Sequence, residues 1–375
     1  MLKTLFVFGT RPEGIKLCPV VLHMLSRAGE FRVSVAVTGQ HRQMLDQVLG
    51  AFRVVPDYDL NLMAPNQTLA SSASRIIAAL EPVYRECAPD IVYVQGDTTT
   101  TMCGALAAFY ARIPVGHIEA GLRTGDMTQP FPEEMNRVVT GRLSRIHFAA
   151  TEGARANLLR EGVAADAIHV TGNSGIDAVL HVRGWLARGE LAGGEWSFLD
   201  PEKKLIVVTA HRRENFGTGF ENICRALRAL AGRGDTEIVY PVHCNPNVTG
   251  PVHKYLTGVS GIHLIEPLDY VPFVDLMRRA YLLLTDSGGV QEEGPSLGKP
   301  VIVMREKTER PEAVEAGTAR LAGTDPERIV GEVARLLDDE TAHESMTRIH
   351  NPYGDGRASE RIADATLAFF GRQSR

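Results

Sequence analysis

Short apolar runs recur along this chain, each followed by a stretch with the three-to-four residue spacing of a helix. The first set is "TLFVFG", "VSVAVTG", "IVYVQGD", "PVGHIEAG" and "IHFAAT", between residues 4 and 151. Such runs read as strands buried on both faces, and their alternation with helices predicts a parallel sheet wrapped on both sides. A polar, glycine-containing stretch at residues 183–204 interrupts the rhythm. It restarts with "LIVVTAHR", "EIVYPVH", "GIHLIEP", "YLLLTD" and "PVIVM", between residues 205 and 304. The pattern predicts an α/β protein of two Rossmann-like domains, residues 1–172 and 173–355, with the chemistry in a cleft between them. The last helical stretch, "RASERIADATLAFF", can pack on either domain, and the N-terminal one is taken for residues 356–375.

Composition narrows this little. A chain of 375 residues, 44% apolar and 23% charged, suits two soluble domains with real cores. A net charge of -5 with mixed signs gives no general footprint for nucleic acid or an anionic membrane. The five cysteines, Cys18, Cys87, Cys103, Cys224 and Cys244, are scattered and never form a C-x-x-C pair. Neither a disulfide framework nor a zinc site is suggested, and reduced, mostly buried thiols are expected. The opening apolar segment is too short for a signal peptide, and no run approaches a membrane span. The cytoplasm is the simplest address, which leaves the sequons at Asn66 and Asn247 without consequence.

Candidate chemistry collects where strands end. After the first strand, "FGTRPEGIK" lacks the lysine position and the hydroxyl of a P-loop, and no G-x-G-x-x-G follows. What remains is Arg11 and Lys16, cations suited to a pyrophosphate or a developing negative charge. Solvated cations are disfavoured at a helix start, which weighs toward function. Asp97 ends the third strand and is either a helix cap or a site carboxylate. Glu119 holds the equivalent place in the fourth, where capping suits a glutamate less well. In "FPEEMNR", Pro132 would start a helix with Glu133 and Glu134 in its first turn, ordinary dipole partners when taken alone. Asp97, Glu119 and Glu133 together would form a carboxylate cluster able to divide acid and base roles.

In the second domain, His211 ends the first strand beside Arg212 and Arg213, a placement that favours catalysis over structure. His243 and His253 lie ten apart among prolines, no metal spacing, and no metal site is read. The "TDSGGVQEEG" turn places Ser287, Gly288 and Gly289 between a strand and a helix. It is either an anion-binding turn or a plain one capped by Ser287.

With these residues assembled, the chain resembles the bacterial non-hydrolysing UDP-N-acetylglucosamine 2-epimerases nearly end to end. The stretches "GTRPEGIK", "TGQHRQMLDQVL", "VQGDTTTT", "HIEAGLRTGD", "PEEMNR", "TAHRREN", "PLDYVPFV" and "SGGVQEEGPSLGKPVIVMREKTERPEA" stand in family order. The resemblance implies a GT-B fold and reversible conversion of UDP-N-acetylglucosamine to UDP-N-acetylmannosamine. UDP would be eliminated to a bound 2-acetamidoglucal and added back with inversion at carbon 2. No nicotinamide or other cofactor is implied. Carried over by residue, the similarity puts Arg11, Lys16, Asp97, Glu119, Glu133, Arg137 and His211 around the sugar and leaving group. The carboxylates are the acid/base candidates, with His211 near the diphosphate. For UDP it implicates Phe273 beside uracil, Ser287, Gly288 and Gly289 at the phosphates, Glu293 on the ribose, and Arg310.

A second, regulatory site for UDP-N-acetylglucosamine is implied by Gln40, His41 and Gln43, with Arg212 and His243. Asn66 stands where an arginine often belongs to that site, and Leu268 replaces a common glutamine near the uracil. Gly14 and Cys18 replace common alanines and are read as conservative. A homodimer is expected from the resemblance alone. The competing readings are a hydrolysing relative that releases N-acetylmannosamine, a GT-B glycosyltransferase, and a nucleotide-sugar-binding regulator without turnover. The carboxylate set weighs against the last two, and the "QHRQ" motif leans against the first.

Overall fold

A computed structural model describes residues 1–39, 42–64, 67–348 and 350–373, so the expectations for Gln40, His41 and Asn66 fall outside the described residues. The chain divides into two compact units, residues 1–178 with 354–375, and residues 179–353.

The first unit is built on β1 (Leu2–Phe8), β2 (Phe31–Val37), β3 (Tyr58–Asp59), β4 (Ile91–Gln95), β5 (Val115–Ala120), β6 (Ile146–Ala149) and β7 (Ile168–Val170). These form one sheet in the order β3-β2-β1-β4-β5-β6-β7, and every pairing is parallel. The second unit has β8 (Lys204–Thr209), β9 (Thr236–Pro241), β10 (Ile262–Ile265), β11 (Leu282–Thr285), β12 (Val301–Val303) and β13 (Ala319–Leu321). Its order, β10-β9-β8-β11-β12-β13, repeats the scheme, again all parallel. In each unit the strand order reverses between the first strand and the fourth. Loops leaving the carboxyl ends of those two strands diverge and open a crevice, the usual ligand position in such sheets.

Helices on both faces explain the unbroken apolar runs. Leu5, Phe6, Val7 and Phe8 are 0% exposed, and every residue of β4 is buried. Tyr93 stacks on Phe6 with ring centroids 4.7 Å apart, and its hydroxyl bonds to Thr366 on the helix Ala358–Gln373. That helix is anchored further where Asp177 accepts from the Ser359 N–H at 2.7 Å, and where Arg27 meets Asp364. Gly116 has no side chain for a direct reason: a Cβ there would stand 2.8 Å from the buried Tyr93 ring. In the second unit, Ile206 and Val208 of β8 pack with Phe220, Ile223 and Leu227 of the helix Thr218–Ala231.

The pattern of apolar runs missed β3, β7 and β13. Each is two or three residues long, too short to show any periodicity. All the cysteines are free thiols; Cys18, Cys103 and Cys224 are buried, Cys87 half-buried and Cys244 exposed. Among the described residues no helix is long and apolar enough to cross a membrane.

Candidate active site

In the first unit the site grows from the switch between β1 and β4. Thr10 caps the helix Arg11–Ser26, and Glu13 closes the reciprocal half of a capping box, its Oε2 accepting from the Thr10 N–H at 2.8 Å and the Gly9 N–H at 3.1 Å. Glu13 is 1% exposed, and its Oε1 accepts from the hydroxyls of Thr98 at 2.7 Å and Thr101 at 3.1 Å. One buried carboxylate thereby ties the turn after β1 to the turn after β4. Burial raises its proton affinity above the ordinary, against the pull of these hydrogen bonds.

The helix after β4, Thr99–Tyr110, is capped by Thr98, whose hydroxyl accepts from the Thr101 N–H at 3.1 Å. Asp97 is therefore not the cap. Its carboxylate pairs with Arg137 of the helix Glu133–Leu143, and its carbonyl accepts from Asn136 Nδ2 at 2.9 Å. One strand over, Glu119 is the penultimate residue of β5, with φ at +61°, where the register with β6 slips between Ile118 and Ala120. A non-glycine residue held in this left-handed region costs about 1–3 kcal/mol and marks a site whose surroundings force it. Lys16 Nζ stands 2.6 Å from both Glu119 carboxylate oxygens, and Gln95 donates to Oε2. The Lys16 and Glu119 side chains are only 20% and 7% exposed, so the pair is substantially desolvated.

His117, also on β5, is fully buried and donates from Nε2 to the Gly96 carbonyl at 2.7 Å, clamping the turn that carries Asp97. Burial lowers its pKa to about 3, leaving a neutral imidazole. Within the helix Glu133–Leu143 it is Glu134, not Glu133, that is buried. Glu134 meets Arg137 at 3.2 Å and accepts the Thr124 and Gly125 N–H groups at 3.1 Å each. Glu133 is half-buried at the helix start, and Gln43 lies exposed on the helix Arg42–Phe52. Arg11 opens its helix, half-buried. A cavity of about 530 Å³ lies at the opposite edge of this sheet, lined by Arg142, His147 and Phe369, and contains none of the residues singled out from the sequence.

In the second unit the switch lies between β8 and β11, and Asp286 occupies it. This carboxylate is fully buried, and its Oδ2 accepts from the N–H groups of His211 at 2.9 Å and Arg212 at 2.8 Å and from Asn215 Nδ2 at 3.1 Å. The His211 ring stacks on that of His243, centroids 5.5 Å apart. Burial lowers the His211 pKa, with His243 and Arg212 acting in the same sense and Asp286 against them. Ser287 takes the N-cap position of the helix Gly288–Glu293, but its hydroxyl makes no capping bond, so the plain capped turn is not what forms.

A Cβ on Gly288 would lie 3.6 Å from Arg212 Nη2 and 3.7 Å from Arg310 Cζ, which puts both guanidinium groups against this turn. Arg310 donates to the buried Glu292, and Arg212 to Glu309 at 2.6 Å. Burial would raise the Glu309 carboxyl, but Arg212, its own backbone N–H and Arg305 bring it down to about 2. Gly289 follows in the same turn, while Glu293 and Phe273 are half-buried on the helices Gly288–Glu293 and Tyr270–Arg279.

The structure thus joins Lys16 to Glu119 and Asp97 to Arg137 in one unit, and His211, Arg212, His243, Gly288 and Arg310 in the other. It adds Glu13, Gln95, His117, Asn215, Asp286 and Glu292, which the sequence did not single out, and Glu134, read from the sequence only as a helix-dipole partner. Only Glu13 had a local signal, the T-x-x-E spacing of a capping box.

A family model described as UDP-N-acetylglucosamine 2-epimerase matches residues 23–367. A UDP-N-acetylglucosamine 2-epimerase of Escherichia coli (strain K12) is 58% identical over 370 residues, 97% of this chain and 98% of that one. Among solved structures, the UDP-GlcNAc 2-epimerase of Neisseria meningitidis bound to UDP-GlcNAc superposes with a TM-score of 0.88 at 47% identity, covering 98% of this chain and 100% of that one. A Staphylococcus aureus protein solved with UDP gives 0.86 at 45% identity, covering 99% and 97%.

Proposed function

The chain belongs to the UDP-N-acetylglucosamine 2-epimerase family and is an enzyme that epimerises UDP-N-acetylglucosamine, and we propose that it does so without releasing the sugar. The observation that supports acid/base epimerisation is a pair of carboxylates, Asp97 and Glu119, held by cations at the carboxyl ends of the adjacent strands β4 and β5, and the "QHRQ" motif favours the non-hydrolysing outcome. The hydrogen on carbon 2 is not next to a carbonyl and is weakly acidic. Breaking the bond from carbon 1 to the UDP oxygen gives the ring oxocarbenium character and makes a carboxylate an adequate base. The proton passes to the base, the bond electrons leave with UDP, and carbons 1 and 2 become doubly bonded in 2-acetamidoglucal. Protonation of carbon 2 from the other face and return of UDP to carbon 1 give UDP-N-acetylmannosamine.

In this reading Asp97, Glu119 and Glu133 share acid and base work, and Arg11, Lys16 and Arg137 hold the sugar and balance charge. His211 and Arg310, with the backbone of Ser287, Gly288 and Gly289, meet the diphosphate, where leaving-group charge builds. Phe273 lies beside uracil and Glu293 on the ribose hydroxyls. Gln40, His41, Gln43, Arg212 and His243 serve a second molecule of UDP-N-acetylglucosamine as activator. The enzyme works as a cytoplasmic homodimer.

In deuterated water, UDP-N-acetylglucosamine should gain deuterium at carbon 2 while UDP-N-acetylmannosamine accumulates. Active protein without exchange would sink the elimination, and free UDP formed in step with turnover would mark a hydrolase.

A further inference from the structure

Asp286 is an unusual choice if its purpose is to brace a turn. Its Oδ2 already gathers three donors, two consecutive backbone N–H groups and Asn215, all from residues 211–215. An asparagine would offer the same acceptor oxygen without burying a charge. The second oxygen, Oδ1, is buried, accepts no hydrogen bond and stands 3.6 Å from His211 Nδ1. A buried acceptor left open and facing an imidazole is what the bracing role leaves unexplained.

We propose that Asp286 is the positioning residue of His211, fixing its backbone through Oδ2 and holding its protonated ring through Oδ1 once the diphosphate is bound. The groups that face His211 are Asp286 after β11, Arg212 beside it and the His243 ring after β9. Without ligand, burial, His243 and Arg212 outweigh Asp286 and the ring is neutral. The negative charge of a diphosphate reverses that balance. The proton then sits on Nδ1, the gap to Oδ1 closes to a charge-assisted hydrogen bond, and Nε2 is left turned away from Asp286 as a donor to the ligand. This rests on the placement of His211 at the diphosphate proposed above, and the test separates the two.

Asp286→Asn keeps the acceptor for the backbone and removes the charge facing the ring. With UDP bound, the His211 imidazole followed by NMR should lose about one pKa unit or more. Turnover should fall about tenfold or more with KM for the UDP-sugar within about threefold, and the alkaline limb of the kcat profile should move to lower pH. The double variant Asp286→Asn/His211→Asn should be no slower than His211→Asn alone. An unmoved imidazole pKa and limb, or losses that multiply in the double variant, would overturn the proposal in favour of a merely structural aspartate. In the unmodified protein a far-downfield Nδ1–H proton should appear when UDP is added, and its absence overturns the proposal even if Asp286→Asn does not fold. Full activity of His211→Asn would instead remove His211 from the reaction, a separate failure.

Discussion

Replacing His117 by glutamine asks whether a neutral imidazole is built into the first unit. His117 is wholly buried, Nε2 donates to the Gly96 carbonyl, and burial holds the pKa at about 3 against an ordinary 6.5. Between those values the unfolded chain accepts a proton that the native state refuses. Stability is therefore complete above pH 6.5 and is lost as pH falls toward 3. At about 1.4 kcal/mol per unit, His117 alone removes about 2 kcal/mol between pH 6.5 and 5. His147, 2% exposed and lowered by burial to about 4, adds a slope of the same sign and size. Together they amount to about 4 kcal/mol, a large share of a typical 5–15 kcal/mol. Glutamine sets an amide Nε2 near the place of the imidazole Nε2, keeps a donor for Gly96 and does not titrate. Guanidinium unfolding followed by circular dichroism should find the variant about 1–2 kcal/mol less stable at pH 7. Its further loss on going to pH 5 should be smaller than that of the unmodified protein by about 2 kcal/mol. An equal loss in both proteins would refute the assignment of a neutral buried imidazole.

Two further substitutions bear on the proposed roles. Glu119→Gln should retain UDP-N-acetylglucosamine binding by calorimetry and lose turnover by about a hundredfold or more, and normal turnover would remove Glu119 from the acid/base set. Glu293→Ala should raise KM for the UDP-sugar more than it lowers kcat in steady-state assays, as loss of a ribose contact made equally in ground and transition states requires.

The long apolar runs made the fold legible because β1, β4, β8 and β11 are buried on both faces and need no alternation to be recognised. The carboxyl ends of β4, β5, β8 and β11 also located Asp97, Glu119, His211 and the Ser287 turn, since a parallel sheet aims all its strand ends the same way. Partnerships were another matter. Asp286 is 75 positions from His211, and their hydrogen bond exists because β8 and β11 are neighbours, an adjacency sequence order does not state. Gln95 and Lys16 converge on Glu119 for the same reason. Which of Glu133 and Glu134 is buried was not legible at finer grain: adjacent residues on a helix point about 100° apart, and which one faces inward depends on the entry angle of the chain.

The helix Ala358–Gln373 carries a consequence for how the protein is made. The first unit surrounds the second in chain order, so its cover leaves the ribosome only after the whole second unit, while the Tyr93 hydroxyl and the helix Arg11–Ser26 wait for Thr366 and its neighbours. At about 5–20 residues per second, that wait lasts on the order of ten to forty seconds. During it the second unit, continuous from residue 179 to 353, has every segment it needs. The unit synthesised first is thus the one finished last, with an apolar seam open to chaperones in the interval.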